Sequence, residues 1–320
     1  MSMCKPRIES AFDAKHLLKP PWSPAEYRRG VERPPQQVTC SQPNQHRTHG
    51  VGTGASSGLG AVFADRLASR GYDLILVARR ADRLSALETR LSSQCGISAK
   101  AVVADLTVKA DVDSLVERIR NDNSITMLVN DAGAASMKPI VSIGDAELDT
   151  MIYVNITALT RLTLAMLPGF KERDHGTIIN IASSLSVYTP PHTAIYSATK
   201  AYVMNFTLGV QQELIGTKVV AQLVLPAKTA TEIWKNTGVP LASLNQASVM
   251  TAENCVDAAL SGLDQGESAT FPSVEDYELW LDFEDVRRKL FDATQTGKPA
   301  SRYRVGLALK GELPGVVKSS

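Results

Sequence analysis

The amino-acid sequence predicts an α/β fold in which helices cover both faces of a doubly wound parallel sheet. Between residues 73 and 225, short apolar runs rich in Val and Ile alternate with longer amphipathic stretches. Runs this short are typical of strands buried on both faces. Strands that alternate with helices require right-handed crossovers and therefore a parallel sheet. A glycine-rich turn at 53–60 opens the first helical stretch, and such sheets bind ligands at the carboxyl ends of their strands.

The predicted elements follow one another without an internal repeat. The five apolar runs are Asp73–Ala78, Ala101–Ala104, Ile125–Val129, Thr177–Ile181 and Val219–Leu225. The helical periods cover 58–70, 81–94, 109–121, 145–172 and 195–215. The first strand should lie at 46–52, but this segment is polar and contains two glycines, which a central strand tolerates poorly. Either pairing with neighbouring strands holds it in the sheet, or the first strand is compromised.

The predicted elements are expected to form a single domain, with a disordered extension before it and a loose tail after it. Residues 1–47 are rich in proline and show little periodicity, which predicts a disordered N-terminal extension. Acidic residues interrupt a transit-peptide pattern there, and no apolar segment typical of a secretion signal occurs, so a cytoplasmic protein is favoured over one sent to an organelle. One domain is predicted over 48–305, followed by a loose tail at 306–320.

Composition excludes several classes of function. The chain has 34 basic and 33 acidic residues, a balance that argues against binding to nucleic acid. No apolar run approaches the roughly 18 residues of a membrane helix, so no membrane span is expected. The four cysteines form no CxxC pair and the five histidines form no HExxH pair, so neither a disulfide framework nor a metal site is expected.

The glycine-rich turn contains Gly54, Gly58 and Gly60, with Ser56 and Ser57 between them. Glycine lets the backbone turn tightly and approach a phosphate, and the helix N-terminus offers unpaired N–H groups to an anion. Three nearby glycines alone indicate a simple tight turn about as well as a phosphate site. The helix and the strand that follow favour nucleotide binding.

Two arginines follow the second predicted strand. Sheets that bind NAD carry an acidic residue about 20 positions after the glycines, where it holds the ribose hydroxyls. Here Arg79 and Arg80 stand at that point, 19 and 20 positions after Gly60. A guanidinium group attracts a 2′-phosphate, so the pattern favours NADP(H), with Arg79 as the first candidate contact. The alternative is that both are surface residues that begin the next helix.

A tyrosine, a lysine and a serine can supply acid–base chemistry at the same edge. Tyr196 and Lys200 are four residues apart in a helical stretch and so share a face. Ser183 follows the strand at 177–181. A phenol with a pKa of about 10 is a poor base at neutral pH, but a neighbouring ammonium group lowers that pKa. The trio therefore predicts proton transfer for an alcohol–carbonyl pair, with the serine polarising the oxygen. The alternative is an ordinary helix-surface pair.

In order and spacing, these segments resemble the short-chain dehydrogenase/reductase family over about 51–305. The resemblance rests on TGASSGLG at 53–60, VARR at 77–80, ADLT at 104–107, NDAG at 130–133, VNIT with Asn155, NIASS with Ser183, YSATK at 196–200 and LPAKTAT at 225–231. The stretch DLILVARRADRL and the region after 250 look like the branch related to the DltE-type oxidoreductases.

The resemblance implies a Rossmann-type fold and a role for each matching residue. The catalytic tetrad would be Asn155, Ser183, Tyr196 and Lys200, with Asn155 holding a water that relays protons. The cofactor would contact the turn and the strand ends through Gly54, Ser56, Ser57, Gly58, Leu59, Gly60, Arg79, Arg80, Asp105, Leu106, Asn130, Ala132, Gly133, Tyr196, Lys200, Pro226, Ala227, Thr229 and Thr231. A variable segment at about 232–300 would bind the substrate.

Three residues or segments depart from the family pattern. The first strand is polar, and Asp131 replaces the second asparagine of NNAG, which puts one sheet-stabilising hydrogen bond in question and adds a charge near the cofactor. Ala227 replaces a glycine after the sixth strand and is less free at positive φ, so this loop can follow another path. Aromatic residues farther along could shape an apolar pocket or serve equally in packing: Trp234, Tyr277 and Trp280.

The resulting hypothesis is an NADP(H)-dependent oxidoreductase that moves hydride between the nicotinamide and a carbonyl or secondary alcohol. Its expected partner is a small-molecule substrate, and the family resemblance implies a homodimer or homotetramer. The alternative is an NADP-binding sensor or scaffold of the same fold that has little turnover. Such proteins usually lack the tyrosine or the lysine, and both are present here as Tyr196 and Lys200.

Overall fold

A computed structural model describes residues 48–303 of the chain. The extension predicted at 1–47 and the tail predicted at 306–320 lie outside the described residues. Two compact units divide the chain, one up to Ser273 and one from Val274. The first unit contains the sheet and the candidate site. Among its described residues, the second contains an α-helix, Glu278–Thr294, and a short 3₁₀ helix, Ser301–Tyr303.

In the described part of the chain, seven parallel strands form one sheet in the order β3-β2-β1-β4-β5-β6-β7. The strands are β1 (His49–Thr53), β2 (Asp73–Ala78), β3 (Ala99–Val103), β4 (Ile125–Asn130), β5 (Thr177–Ile181), β6 (Val220–Val224) and β7 (Ala269–Thr270). The order reverses direction at β1, as a doubly wound sheet requires. The predicted Rossmann-type fold is confirmed.

The helices of the first unit alternate with these strands. They are α1 (Gly58–Ser69), α2 (Ala81–Cys95), α3 (Lys109–Arg120), α4 (Asp145–Ile152), α5 (Leu159–Glu172), α6 (Ala194–Glu213) and α7 (Ala252–Asp264). A π-helical segment, Tyr153–Ala158, joins α4 to α5 without a break. The second unit contributes α8 (Glu278–Thr294). The predicted helical periods agree with the observed helices to within about two residues.

Two apolar cores cover the two faces of the sheet. One includes Phe63 and Leu67 from α1, Leu84 from α2 and Leu76 from β2. The other is built by side chains from α3, α5 and the opposite faces of the strands, including Leu115, Leu162, Phe170, Val77 and Ile178. Successive side chains of a strand point to opposite faces, so the uniformly apolar β2 supplies both cores.

The first strand is complete despite its composition. β1 pairs with β2 on one side and with β4 on the other, and its Val51 is fully buried. The Thr53 hydroxyl accepts hydrogen bonds from the backbone N–H groups of Asp131 and Ala132, both at 3.1 Å. Pairing on both sides therefore holds the polar segment in the sheet, which decides between the two alternatives left by the sequence.

The run Asp145–Glu172 is long and apolar enough, by length and composition alone, to cross a membrane. Half of the residues in its most apolar window are buried inside the protein. Its Leu162, Met166 and Phe170 belong to the core on one face of the sheet. Core helices pass the same test, so the run is weak support for a membrane span, and the expected absence of one stays a prediction.

A buried amide network joins β4 to β5 and to the helices beside them. Asn130 and Asn180 are register partners, and the Asn130 Nδ2 donates to Asn180 Oδ1 at 2.9 Å and to Thr163 Oγ1 at 3.1 Å. Asn180 Nδ2 in turn donates to Thr207 Oγ1 at 3.0 Å. Asn130 thus makes the side-chain hydrogen bond that joins β4 to β5, and whether Asp131 costs the sheet a further hydrogen bond stays a prediction.

We expect Asn180→Ala to lower the free energy of unfolding by about 1–3 kcal/mol, because buried polar partners on Asn130 and Thr207 lose their bonds. Chemical denaturation measured by circular dichroism tests this. Asn254→Ala, at an exposed position on α7, is the matched control. A loss no larger than that of the control would contradict the role of the network.

Candidate active site

The candidate residues gather at the carboxyl edge of the sheet. The glycine-rich turn follows β1, the two arginines follow β2, and Ser183 follows β5. The other strands bring the remaining predicted cofactor residues to the same edge, which are Asp105 and Leu106 after β3, Asn130, Ala132 and Gly133 at the end of β4, and Pro226, Ala227, Thr229 and Thr231 after β6. Parallel strands end at one edge, so segments distant in sequence meet there.

The glycine-rich turn needs its glycines for close packing as well as for its path. Gly54 and Gly58 have φ angles of +71° and +57°, a region that favours glycine. A Cβ on Gly60 would stand 2.6 Å from the Gly54 carbonyl, and one on Gly54 would stand 2.8 Å from Asp131 Oδ2. α1 begins here with Ser57 as its N-cap, whose side chain makes no capping bond. The turn therefore presents a helix N-terminus suited to a phosphate.

Arg80 lies over the glycine-rich turn. Its NH2 donates to Ser57 Oγ at 2.6 Å and to Ser56 Oγ at 2.9 Å, and its Nε donates to Ser56 Oγ at 3.1 Å. Arg79 points elsewhere, with 67% of its side chain exposed and its NH1 4.0 Å from Asp105 Oδ2. The structure thus brings Arg80 closer to the turn than Arg79, the first candidate from the sequence.

A carboxylate that the sequence did not single out joins this cluster. Glu232 lies in a short 3₁₀ helix after β6, and its carboxylate pairs with Arg80 at 2.6 Å and Arg83 at 2.9 Å. Lys235 pairs with it at 2.7 Å. Hydrogen bonds from these three cations hold the pKa of the Glu232 carboxyl far below its usual value. Glu232 is therefore ionised throughout the physiological pH range.

Asp131 places a second carboxyl group against the turn. The residue is half-buried, and its Oδ2 lies beside both Gly54 and Gly60. Burial raises the pKa of this carboxyl to about 7, while Lys200 and the backbone N–H of Gly60 act in the opposite direction. Asp131 therefore titrates near neutral pH, unlike the asparagine that the family pattern leads one to expect.

We expect Asp131→Asn to stabilise the protein increasingly as pH rises from about 4 to 7. The unfolded chain ionises Asp131 near its ordinary pKa of 3.8, whereas the folded protein retains the proton up to about 7. The wild type therefore loses stability across this window, by up to about 1.4 kcal/mol per pH unit from this group. Urea unfolding of both proteins at pH 5, 6 and 7 measures the difference. A difference that is independent of pH would contradict the assignment.

Ser183, Tyr196 and Lys200 lie together beneath this edge. The Ser183 hydroxyl lies near enough to the Tyr196 phenol to lower its pKa, and it accepts from the Leu185 backbone N–H at 3.2 Å. Lys200 Nζ lies 5.9 Å from the centre of the Tyr196 ring and donates to the Ile181 carbonyl at 2.8 Å. All three side chains are at least nine-tenths buried. Both α6 residues thus face the end of β5, as their spacing predicted.

The pKa values of this trio differ from the sequence expectation. Burial raises the pKa of Tyr196 to about 12, although the neighbouring Ser183 hydroxyl acts to lower it. Burial also lowers the pKa of Lys200 to about 8, while Asp131 acts to raise it. The net pKa of Tyr196 is therefore raised, because desolvation of the phenol is the largest contribution, and the lowering of this pKa by Lys200 stays a prediction. At neutral pH Tyr196 is a neutral phenol, the form that donates a proton.

Asn155 connects the end of β4 to α6. Its Oδ1 accepts from the Ala134 backbone N–H at 2.8 Å, and its Nδ2 donates to the Ala134 carbonyl and to Thr199 Oγ1 at 2.8 and 2.9 Å. It lies in the π-helical segment, where the wider turn changes which side chains face the sheet edge. A Cβ on Gly133 would stand 3.5 Å from Asn155 Oδ1 and 3.6 Å from Lys200 Nζ. Asn155 thus positions the strand end next to Lys200.

Apolar side chains surround the Tyr196 ring. Ala135 and Met151 are buried with it, and further side chains pack on this group, namely Ala134, Ile143, Leu185, Ile195 and Ile233. An adjoining cavity of about 270 Å³ is lined by residues from the loops before α4 and α6 and from the start of α6, including Ile140, Val141, Pro191 and Ile195. The surroundings of the phenol therefore suit an apolar ligand.

The structure shows the local surroundings of several other residues that the sequence singled out. The side chains of Asn130 and Leu106 are buried in the amide network and in the core described above, and their contacts with a cofactor stay predictions. Ala227 has no positive φ, since among the described residues other than glycine only Asp174 and His192 do, so the loop needs no glycine there. Trp234 is buried and donates to the Thr229 carbonyl at 2.8 Å, which indicates packing of the loop. Tyr277 and Trp280 lie in the second unit.

The glycine-rich turn, the arginine over it and the Ser–Tyr–Lys trio are the features of an α/β protein of the dinucleotide-binding class. A family model described as short chain dehydrogenase matches residues 50–240. The chain belongs to the short-chain dehydrogenase/reductase family. Its assignment to the DltE-type branch stays a prediction.

Similar proteins are known from animals and bacteria. The chain is 33% identical over 189 residues to a very-long-chain 3-oxoacyl-CoA reductase from Anas platyrhynchos, over 58% of this chain and 61% of that one. It spans about three fifths of the length of several curated relatives that it matches. A short-chain dehydrogenase from Sphingobium yanoikuyae in complex with NADPH superposes with a TM-score of 0.78 at 39% identity, covering 80% of this chain and all of that one. A bulky-bulky ketone specific alcohol dehydrogenase from Comamonas testosteroni superposes with a TM-score of 0.75 at 33% identity, covering 81% and 100%.

Proposed function

We propose that the protein is an NADP(H)-dependent oxidoreductase that acts on a carbonyl or secondary alcohol. The observation that carries the proposal is the buried Ser183–Tyr196–Lys200 trio, which shares the edge of the sheet with a phosphate-binding turn. The bound nicotinamide would supply or accept the hydride. The chain supplies the proton, orients the reacting groups and excludes water.

In this proposal Tyr196 is the proton donor and acceptor. As a neutral phenol beside the Ser183 hydroxyl, it can donate to a carbonyl oxygen held between the two hydroxyl groups. Lys200, held by the Ile181 carbonyl, lies close enough to stabilise the negative charge that the phenol oxygen gains when it gives up its proton. Proton relay through a water on Asn155 stays a prediction, since its side chain is bonded to Ala134 and Thr199.

NADP(H) is the proposed cofactor because the end of β2 is cationic. Arg80 and Arg83 both face an anion already, the Glu232 carboxylate, and both can offer N–H groups to a 2′-phosphate. The residues present fit a dinucleotide: glycines that leave room for the backbone to approach phosphate, a helix N-terminus, and buried Tyr196 and Lys200. The NADPH complex of the similar Sphingobium enzyme supports the same choice.

The proposed substrate is a bulky, apolar carbonyl compound. The apolar side chains around Tyr196 and the cavity beside them favour burial of such a group by roughly 25 cal/mol per Å². The names of two similar proteins, a very-long-chain 3-oxoacyl-CoA reductase and a bulky-bulky ketone specific alcohol dehydrogenase, support this class.

Thermal shift and turnover together test the proposal. NADPH should raise the melting temperature more than NADH does, and NADPH should be oxidised with aryl or long-chain ketones in preference to dihydroxyacetone. Stabilisation without turnover across the ketones would favour a sensor or scaffold. No stabilisation by either nucleotide would contradict both functions. A homodimer or homotetramer and a cytoplasmic location stay predictions.

A further inference from the structure

The loop after β6 reaches across the sheet edge to the arginines that follow β2. In the sheet order, β1, β4 and β5 lie between β2 and β6. Neighbouring strands are about 4.8 Å apart, so the ends of β2 and β6 are separated by about 19 Å. Glu232 nevertheless contacts Arg80 at 2.6 Å. The loop that carries Thr229 and Thr231 is therefore tied by an ion pair to the far side of the proposed cofactor cleft.

Glu232 binds the same guanidinium groups, those of Arg80 and Arg83, that are proposed to bind the 2′-phosphate. Arg80 turns its Nε and NH2 to the serine hydroxyls of the glycine-rich turn and its NH1 to Glu232. Arg83 turns NH1 to one carboxylate oxygen of Glu232 at 2.9 Å and NH2 to the other at 3.4 Å. The contacts that would hold a phosphate are thus made by a carboxylate of the chain itself.

The cluster formed by Arg80, Arg83, Lys235 and Glu232 has a net positive charge that can bind a second anion. Arg80, Arg83 and Lys235 carry three positive charges, and Glu232 returns only one negative charge. A phosphate monoester carries about −1.5 to −2 charges at pH 7, which is close to the excess. About a third of the Glu232 side chain and 40% of Arg80 are exposed, and ion pairs this accessible to water are weak and easily exchanged.

We propose that Glu232 is an internal anion that competes with the cofactor's 2′-phosphate for Arg80 and Arg83. The proposal rests on the proposed function, because it requires that these arginines bind the phosphate. The ion pairs of Glu232 with Arg80 and Arg83 hold the loop across the cleft and lower the affinity for the phosphorylated nucleotide. When the 2′-phosphate binds, it replaces the Glu232 carboxylate on these arginines. Glu232 is thus a specificity-determining residue that lies outside the glycine-rich turn and the catalytic trio.

Calorimetric titration with 2′,5′-ADP and 5′-AMP tests the competition without any turnover. We expect Glu232→Gln to bind 2′,5′-ADP about three- to tenfold more tightly than the wild type, as loss of weak, exposed ion pairs implies. Affinity for 5′-AMP, which has no 2′-phosphate, should change by less than twofold. Glu253→Gln, the same change at an exposed carboxylate on α7, is the control and should leave both affinities unchanged.

The other outcomes each decide the question. Unchanged or weaker binding of 2′,5′-ADP by Glu232→Gln, with wild-type circular dichroism, would show that Glu232 supports the arginines and would overturn the competition. An equal gain in affinity for 2′,5′-ADP in Glu253→Gln would show that the effect comes from net charge alone, and this would also overturn the competition. A wild type that binds 2′,5′-ADP no better than 5′-AMP would instead contradict the NADP(H) proposal itself. Glu232→Ala repeats the test should the glutamine variant fold poorly.

Discussion

Replacing Tyr196 with phenylalanine should lower kcat for ketone reduction by about 10²–10⁴-fold, while the dissociation constant for NADPH changes by less than about twofold. The phenol is the acidic group beside Ser183, and its pKa of about 12 keeps it protonated at assay pH. The substitution removes only the hydroxyl, so the ring keeps its place among the apolar side chains around it. Single-turnover kinetics together with fluorescence titration of NADPH separate the two quantities.

Tyr202→Phe is the matched control for this experiment. Tyr202 lies on the same helix, stacks on Phe206 and hydrogen-bonds Thr160 through its hydroxyl at 2.9 Å. It is partly exposed and lies outside the group of side chains around Tyr196, so its loss should leave kcat nearly unchanged. Turnover retained by Tyr196→Phe within tenfold of the wild type would remove the proposed proton donor.

Replacing Arg80 with serine should weaken NADPH binding about 10- to 150-fold more than NADH binding. A hydrogen bond to a charged group contributes about 1.5–3 kcal/mol, and only NADPH carries the 2′-phosphate. Arg80 is the guanidinium held over the turn by Ser56 and Ser57, so its position is set before the nucleotide arrives. Dissociation constants for the two cofactors, measured at one fixed salt concentration, give the ratio.

Arg79→Ser tests which arginine binds the 2′-phosphate, because the sequence favoured Arg79 and the structure favours Arg80. Arg79 is largely exposed and lies near Asp105, so its loss should change the NADPH to NADH ratio by less than the loss of Arg80 does. The double variant Arg79→Asp with Arg80→Ser should abolish the preference. A larger effect from Arg79 than from Arg80 would contradict the geometry, and an unchanged ratio in the double variant would contradict phosphate binding by either arginine.

The strands and helices could be predicted closely because their signals are local. The apolar run at Asp73–Ala78 and the run at Thr177–Ile181 coincide with the observed β2 and β5. The weakest prediction was the first strand, since Gly50 and Gly52 have low strand propensity and their pairing partners lie elsewhere in the chain. Hydrogen bonding to β2 and β4 on both sides stabilises this strand despite its low local strand propensity.

The electrostatics of the site could not be predicted in the same way. The sequence placed Tyr196, Lys200 and Ser183 together, but the pKa of a phenol depends on how far it is removed from water, which spacing does not report. Asp131 shows the same limit, because its carboxyl titrates near 7 only through burial against the turn.

By itself, the sequence determined the alternating strands and helices, the glycine-rich turn and the helical spacing of Tyr196 and Lys200, because each depends on neighbours within a few residues. Only the tertiary structure decided which arginine lies over the turn and which carboxylate opposes it. Arg80 and Glu232 are 152 residues apart, and no periodicity or motif connects them. They meet because parallel strands end at a common edge, where the loops that follow different strands lie side by side.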